Sequence, residues 1–133
     1  MASISKSITI DADTDRVWDA LRDFGALHER LVSGFVVATE LHDDTRVITF
    51  ANGAVAHERL VTIDDAARRL VYSVVRGPLG GTHDNSAAQV CAAGEGRTTF
   101  VWTKDVLPDA IAPRVSELMD AGLASIKATL ERR

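Results

Sequence analysis

The stretch PDAIAPRVSELMDAGLASIKATLERR, residues 108–133, decides the fold. Its apolar residues recur every three or four positions, and they are Ile111, Val115, Leu118, Met119, Gly122, Leu123, Ile126 and Leu130. This spacing predicts one amphipathic helix of about six turns. Pro108 suits its first turn, and charged residues such as Glu117 and Asp120 fall on the opposite face. A stripe of this length must be covered by a large apolar surface elsewhere in the chain.

The chain upstream of this helix predicts that surface. Alternating apolar residues between turn-forming residues indicate seven strands, at 3–10, 35–42, 46–50, 55–63, 69–76, 83–93 and 98–107. Asn52-Gly53 is a strong hairpin sequence, and the other turns are also short, so the sheet is expected to be antiparallel. A short helix capped within residues 11–14 and ended by Gly25 follows the first strand, and residues 26–31 add one further helical turn.

These elements predict an α+β fold in one domain, residues 1–133. A seven-stranded curved antiparallel sheet wraps around the long C-terminal helix, because only that helix is large enough to cover the apolar face of the sheet. Two short helices follow strand 1. The length is sufficient to bury a core without disulfides or metals.

Composition excludes several classes of function. The net charge is −4 with scattered basic residues, so nucleic-acid binding has no electrostatic basis. Cys91 is the single cysteine, which favours a cytoplasmic location. The first six residues contain no apolar signal-peptide core, and no apolar run is long enough for membrane insertion. The four histidines lack metal-ligand spacing, so we expect neither a metal site nor a cofactor.

The order of these segments resembles a known superfamily. The residues that carry the resemblance are 17–24 (VWDALRDF), 46–53 (RVITFANG), 58–60 (ERL) with Asp64-Asp65, 69–74 (RLVYSV) and 99–102 (TFVW). Together they are similar to the START-like, Bet v 1-like (SRPBCC) proteins, and within them to the polyketide cyclase/dehydrase-like branch. The resemblance implies a helix-grip fold with a cavity between sheet and helix. Members bind hydrophobic ligands, transport lipids, or cyclise and dehydrate polyketides.

The plant abscisic-acid receptors share the pattern more distantly. Their gate loop would correspond to residues 51–56 and their latch loop to residues 76–82. This chain lacks the proline of the gate motif and the His-Arg-Leu latch motif, so a hormone-receptor role is not expected.

Strand alternation and the resemblance together predict which side chains line the cavity. The predicted ligand-binding residues are Ile48, Phe50, Ala56, Glu58, Leu60, Tyr72, Val74, Arg76, Asp84, Ser86, Ala88, Trp102, Met119 and Leu123. Val90 is also expected to point inward, and Gly122 and Lys127 are further helix residues that could face the cavity. An apolar lining with a few polar groups is typical of a ligand pocket.

Glu58 is the most informative of these residues. A carboxylate on the apolar face of a strand must be paired, hydrated or protonated. Counting back from the Asp64-Asp65 turn places Glu58 roughly opposite Arg76, so the two could pair across neighbouring strands, and the sequence leaves open whether they do. If the pocket is catalytic, Glu58 is the candidate acid or base, and Tyr72 or Arg76 the candidate donor to an enolate oxygen.

The orientation of Trp102 is left open by the sequence. Alternation with Phe100 predicts that Trp102 points toward the core. Alignment with the receptor relatives predicts instead that Val101 and Thr103 point inward. A β-bulge would reconcile the two.

Three functions are compatible with this pattern. The first is binding of a small hydrophobic molecule that is polyketide-, lipid- or terpenoid-like. The second is a polyketide cyclase or dehydratase that uses Glu58. The third is a module that signals ligand occupancy to a partner protein through its loops. A homodimer through strand edges or loop tips is also compatible, and nothing in the sequence decides it.

Overall fold

The computed structural model describes residues 1–132. The strands are β1 (Ala2–Ile10), β2 (Val36–His42), β3 (Thr45–Phe50), β4 (Val55–Asp64), β5 (Arg69–Arg76), β6 (His83–Ala92) and β7 (Thr98–Leu107). The helices are α1 (Thr14–Arg22), α2 (Leu27–Arg30) and α3 (Ala112–Leu130). Short 3₁₀ turns at Phe24–Ala26 and Asp109–Ile111 precede α2 and α3.

The strands form one antiparallel sheet in the order β1-β7-β6-β5-β4-β3-β2. Helix α3 packs on its inner face, where Leu123, Ile126 and Leu130 join the same core as Ile10 and Phe100. The predicted seven-stranded sheet, long C-terminal helix and two short helices after β1 are therefore confirmed, and the fold is a helix-grip fold. No helix within residues 1–132 is long and apolar enough to cross a membrane.

The β3–β4 hairpin shows why the turn residues are needed. Gly53 has a φ of +88°, a backbone conformation that residues with a Cβ rarely adopt. Asn52 supports the turn through its side-chain Oδ1, which accepts a hydrogen bond of 2.9 Å from the Ala54 backbone N–H. The turn fixes the register in which Ile48 lies opposite Ala56.

Both predicted helix starts differ in detail from the structure. Helix α3 begins at Ala112, with Pro113 rather than Pro108 in its first turn, because residues 109–111 form a 3₁₀ turn. Asp13 is the N-cap residue of α1, but its side chain makes no capping hydrogen bond. In both cases the helix itself is present as predicted.

A register shift in β5 overturns one prediction about the site. Glu58 lies opposite Val74 and His57 lies opposite Arg76, so Val75 is an extra residue between the two pairs. Such a bulge moves the residues beyond it to the other face of the sheet. Arg76 is exposed beside His57, so the predicted placement of Glu58 opposite Arg76 was wrong, and the pair left open by the sequence does not form.

Candidate functional site

A cavity opens between α3 and the loops at one end of the sheet. Its volume is about 430 Å³. It is bounded by the β3–β4 turn, the β5–β6 loop and the first turns of α3, and its lining residues are Phe35, Phe50, Ala51, Asn52, Ala54, Pro78, Leu79, Arg114, Glu117 and Leu118. We call this space the mouth cavity.

Two smaller chambers lie deeper between sheet and helix. The middle chamber, about 80 Å³, shares Phe50, Leu79 and Leu118 with the mouth cavity. The inner chamber, about 70 Å³, reaches Leu27 and Ile126. Phe35 and Phe50 line all three spaces and meet edge to face, with ring centroids 5.5 Å apart. The two rings therefore stand between a roomy mouth and a narrow interior.

The inner chamber contains a buried ion pair between neighbouring strands. Arg46 Nε on β3 donates to Glu58 Oε1 on β4 over 2.8 Å, and both side chains are at most 8% exposed. Arg46 Nη1 also donates to the Phe24 carbonyl, and its guanidinium lies 3.9 Å from the Phe24 ring centroid. The Tyr72 ring lies 5.1 Å from the same guanidinium. Arg46 thus neutralises Glu58 and holds it in place.

A second ion pair borders the middle chamber. Lys104 Nζ on β7 lies 3.0 and 3.2 Å from the two carboxylate oxygens of Asp84 on β6. Burial lowers the pKa of Lys104, but Tyr72, Asp84 and Glu58 together outweigh burial and raise that pKa overall. Lys104 therefore stays charged at neutral pH and is not a nucleophilic amine.

Tyr72 lies between the two ion pairs. Its ring centroid is 5.1 Å from the Arg46 guanidinium and 5.5 Å from Lys104 Nζ. Burial raises the pKa of the Tyr72 hydroxyl, and the opposing charge of Lys104 offsets that rise only in part. The hydroxyl is therefore neutral at physiological pH, and it has a hydrogen-bond partner in the Ser86 side chain.

Trp102 lines both the middle and the inner chamber. Gly122 of α3 packs against it so closely that a Cβ on Gly122 would lie 3.0 Å from Trp102 Cζ3. Within residues 1–132, Trp102 Nε1 is the one buried side-chain nitrogen or oxygen without a hydrogen-bond partner. Trp18, by contrast, donates its Nε1–H to Asp65 over 3.0 Å.

Comparison with known proteins agrees with this architecture. Residues 1–131 match the family described as polyketide cyclase / dehydrase and lipid transport. The chain belongs to this family. Comparison with curated proteins gives no match.

Solved structures of similar fold cover almost the whole chain. An uncharacterised protein from Bacillus thuringiensis is 22% identical, with a TM-score of 0.88 over 98% of this chain and 100% of that one. The XoxI protein from Bacillus cereus is 21% identical, with a TM-score of 0.86 over 98% and 96%. The Zhui aromatase/cyclase from a Streptomyces species is 18% identical, with a TM-score of 0.78 over 99% and 94%. At these identities the likeness concerns the fold alone.

Most of the residues predicted for a family pocket lie on the chambers. Those that line the middle or inner chamber are Ile48, Phe50, Ala56, Glu58, Tyr72, Val74, Asp84, Ala88, Trp102 and Gly122. Trp102 faces inward without a bulge, because β7 pairs with both neighbours in unbroken register from Thr98 to Leu107. Val101 and Thr103 lie instead on the outer face. The register taken from the receptor relatives was therefore wrong.

The remaining predicted residues lie outside the chambers. Leu60, Val90 and Leu123 pack in the main core, and Met119 is fully buried in a smaller cluster beside Val106. Ser86 is fully buried, and its hydroxyl donates to Asp84 Oδ1 over 3.3 Å. Lys127 donates to the Thr9 carbonyl over 2.8 Å, on the β1 side of the helix, so its expected approach to the cavity was wrong.

Sequence reasoning missed several residues of this family site. Arg46 is in phase with Ile48 and Phe50, and Lys104 is in phase with Phe100 and Trp102, so alternation could have identified both cations. Phe35 and Leu79 lie outside the strands, so alternation does not determine which way they point. Leu118 belongs to the predicted apolar stripe of α3, but that spacing does not distinguish a residue that lines a cavity from one that packs in the core.

Proposed function

We propose that this family member binds one small hydrophobic molecule, of the polyketide, lipid or terpenoid kind, between its sheet and α3. The body of the molecule occupies the mouth cavity, and one end reaches past Phe35 and Phe50 toward the middle chamber. The mouth cavity is the observation that carries the proposal. Its volume of about 430 Å³ falls within the usual range of small-molecule sites, about 300–1,000 Å³.

The composition of the cavity supports binding of an apolar guest. Phe35, Phe50, Leu79 and Leu118 form an apolar wall that continues from the mouth into the middle chamber. Arg114 and Glu117, the charged residues at the mouth, are exposed at its rim. Removing apolar surface from water here provides a driving force of about 25 cal/mol per Å².

The ion pair of Glu58 supports binding over the cyclase alternative. A general base must be free to accept a proton from the substrate. The Glu58 carboxylate already accepts the Arg46 Nε–H at 2.8 Å, and Arg76, a candidate donor to an enolate oxygen, lies on the outer face. Among the described residues, Glu58 and Asp84 are the carboxylates that line the middle or inner chamber, and both are paired with a cation.

The proposal is tested by titrating Nile red, an apolar dye, into the protein and following its fluorescence. Leu118→Trp should weaken binding at least tenfold, because the larger ring fills space shared by the mouth cavity and the middle chamber. Ala121→Trp is the matched control, since Ala121 is exposed on the same helix and lines none of the three spaces.

Ala121→Trp should bind the dye as the unmodified protein does. The proposal fails if the unmodified protein takes up no dye, or if the two variants bind it equally well.

A further inference from the structure

Trp102 presents a buried hydrogen-bond donor that the protein itself does not use. Its Nε1–H is inaccessible to solvent and has no acceptor within residues 1–132. Buried donors are almost always paired, and an unpaired one is costly. The Trp102 ring lines the middle and inner chambers, so a molecule that enters them contacts this ring, and a small shift of the ring would bring its Nε1–H to an acceptor on the molecule.

The charges around this donor are already balanced. Arg46 is paired with Glu58, and Lys104 contacts both carboxylate oxygens of Asp84. A further negative charge placed here would lose its hydration without gaining a free cation. The chambers therefore suit a neutral acceptor and disfavour a carboxylate.

We infer that the ligand is a neutral apolar molecule with a carbonyl oxygen, which accepts the Trp102 Nε1–H. The inference rests on the proposed function and names the chemistry of its ligand. The Tyr72 hydroxyl does not compete for this role, because it already forms a hydrogen bond with the Ser86 side chain. The small volumes of these chambers, about 80 and 70 Å³, suit one end of the molecule together with its carbonyl group, with the rest of the apolar body left in the mouth cavity.

Two other arrangements would leave Trp102 without a ligand partner. A water molecule held in a chamber would accept the Nε1–H by itself. A fatty-acid carboxylate could instead stay at the rim beside Arg114, with its tail in the mouth cavity. Each arrangement predicts a different order of affinities for matched probes.

The test uses three probes with the same number of carbon atoms: octanophenone, octylbenzene and 8-phenyloctanoate. Each displaces Nile red from the full chain, which gives its Kd. Octanophenone should bind about tenfold more tightly than octylbenzene, which lacks the oxygen, and also more tightly than the carboxylate. Trp102→Phe should remove the preference for the ketone over the hydrocarbon. Trp18→Phe is the control, since Trp18 donates to Asp65 and lines none of the chambers.

The order of the three affinities supports or overturns the inference. Equal affinities for ketone and hydrocarbon, as an ordered water would give, overturn the inference but leave the proposed function intact. Tightest binding of 8-phenyloctanoate, or a ketone preference that survives in Trp102→Phe, also overturns it. If none of the probes displaces Nile red, the inference fails, whereas the proposed function fails only if Nile red itself does not bind.

A measurement on the unmodified protein gives the same answer if Trp102→Phe does not fold. The two indole N–H groups give separate NMR resonances, which Trp18→Phe assigns. Octanophenone should move the Trp102 indole proton downfield, and octylbenzene should not. A Trp102 resonance that responds equally to both probes would contradict the inference.

Discussion

Glu58 and Asp84 show how this fold keeps carboxylates inside an apolar cavity. Each lies within 3.0 Å of a cation on the adjacent strand, Arg46 for Glu58 and Lys104 for Asp84. The desolvation of a buried charge is offset only when such a partner is present. Neither carboxylate therefore acts as an isolated charge, because each is neutralised by its partner.

We predict that Glu58→Gln lowers the free energy of unfolding by about 3 kcal/mol, because it leaves the buried Arg46 charge uncompensated. Urea denaturation measures the change. The control is Asp120→Asn, which breaks the Lys6–Asp120 pair, where the carboxylate is 65% exposed. That variant should lose less than about 1 kcal/mol. Equal losses of unfolding free energy in the two variants would show that burial of the Arg46–Glu58 pair does not determine how much the pair contributes to stability.

The titration of Tyr72 provides a pH test. Tyr72 is the one tyrosine in the chain, so tyrosinate absorbance reports this group alone. Burial raises its pKa, so the midpoint should lie above the value of about 10 for free tyrosine and return to it in denaturant. A raised pKa in the folded state contributes stability below about pH 10, which is lost as pH rises through the folded pKa. A midpoint at or below 10 would contradict the burial of Tyr72 in this site.

At the scale of elements, the bulge at Val75 limits what sequence can predict. Strict alternation along β5 puts Tyr72, Val74 and Arg76 on one face, and the first two do lie there. One extra residue turns Arg76 outward. Bulges depend on the pairing with both neighbouring strands, which a single strand's pattern does not contain. Trp102, by contrast, follows simple alternation because β7 is paired without interruption.

The contact between α3 and β7 provides a prediction at the same scale. Gly122→Ala should destabilise the protein by about 1–3 kcal/mol, because the new Cβ would press on the Trp102 ring. Helix propensity alone would favour alanine by about 1 kcal/mol. Thermal unfolding and Trp102 fluorescence measure the outcome.

The control is Ala121→Gly, the reverse exchange at an exposed position of the same helix, which changes helix propensity alone. It should lower the free energy of unfolding by about 1 kcal/mol. A Gly122→Ala protein more stable than the unmodified one would show that helix and sheet are less tightly packed there.

For the whole molecule, the periodicity of α3 and the seven strand patterns were sufficient to predict the architecture. They were not sufficient to predict where the open space lies. The inner chamber, lined by residues such as Ile48 and Ala88, is narrow, and the larger volume lies in the mouth cavity. Leu79 and Ala54 reach that mouth from loops, and the position of a loop is set by tertiary packing rather than by the periodicity of its own residues.

If a hydrophobic molecule occupies the space between sheet and α3, isotope-filtered NMR on labelled protein with unlabelled octanophenone will detect it there, because this experiment reports protons of the molecule that lie close to protons of the protein. Such binding predicts contacts from octanophenone to Phe35, Phe50 and Leu118. Contacts confined to exposed valines outside the cavity, such as Val61 and Val75, would contradict it.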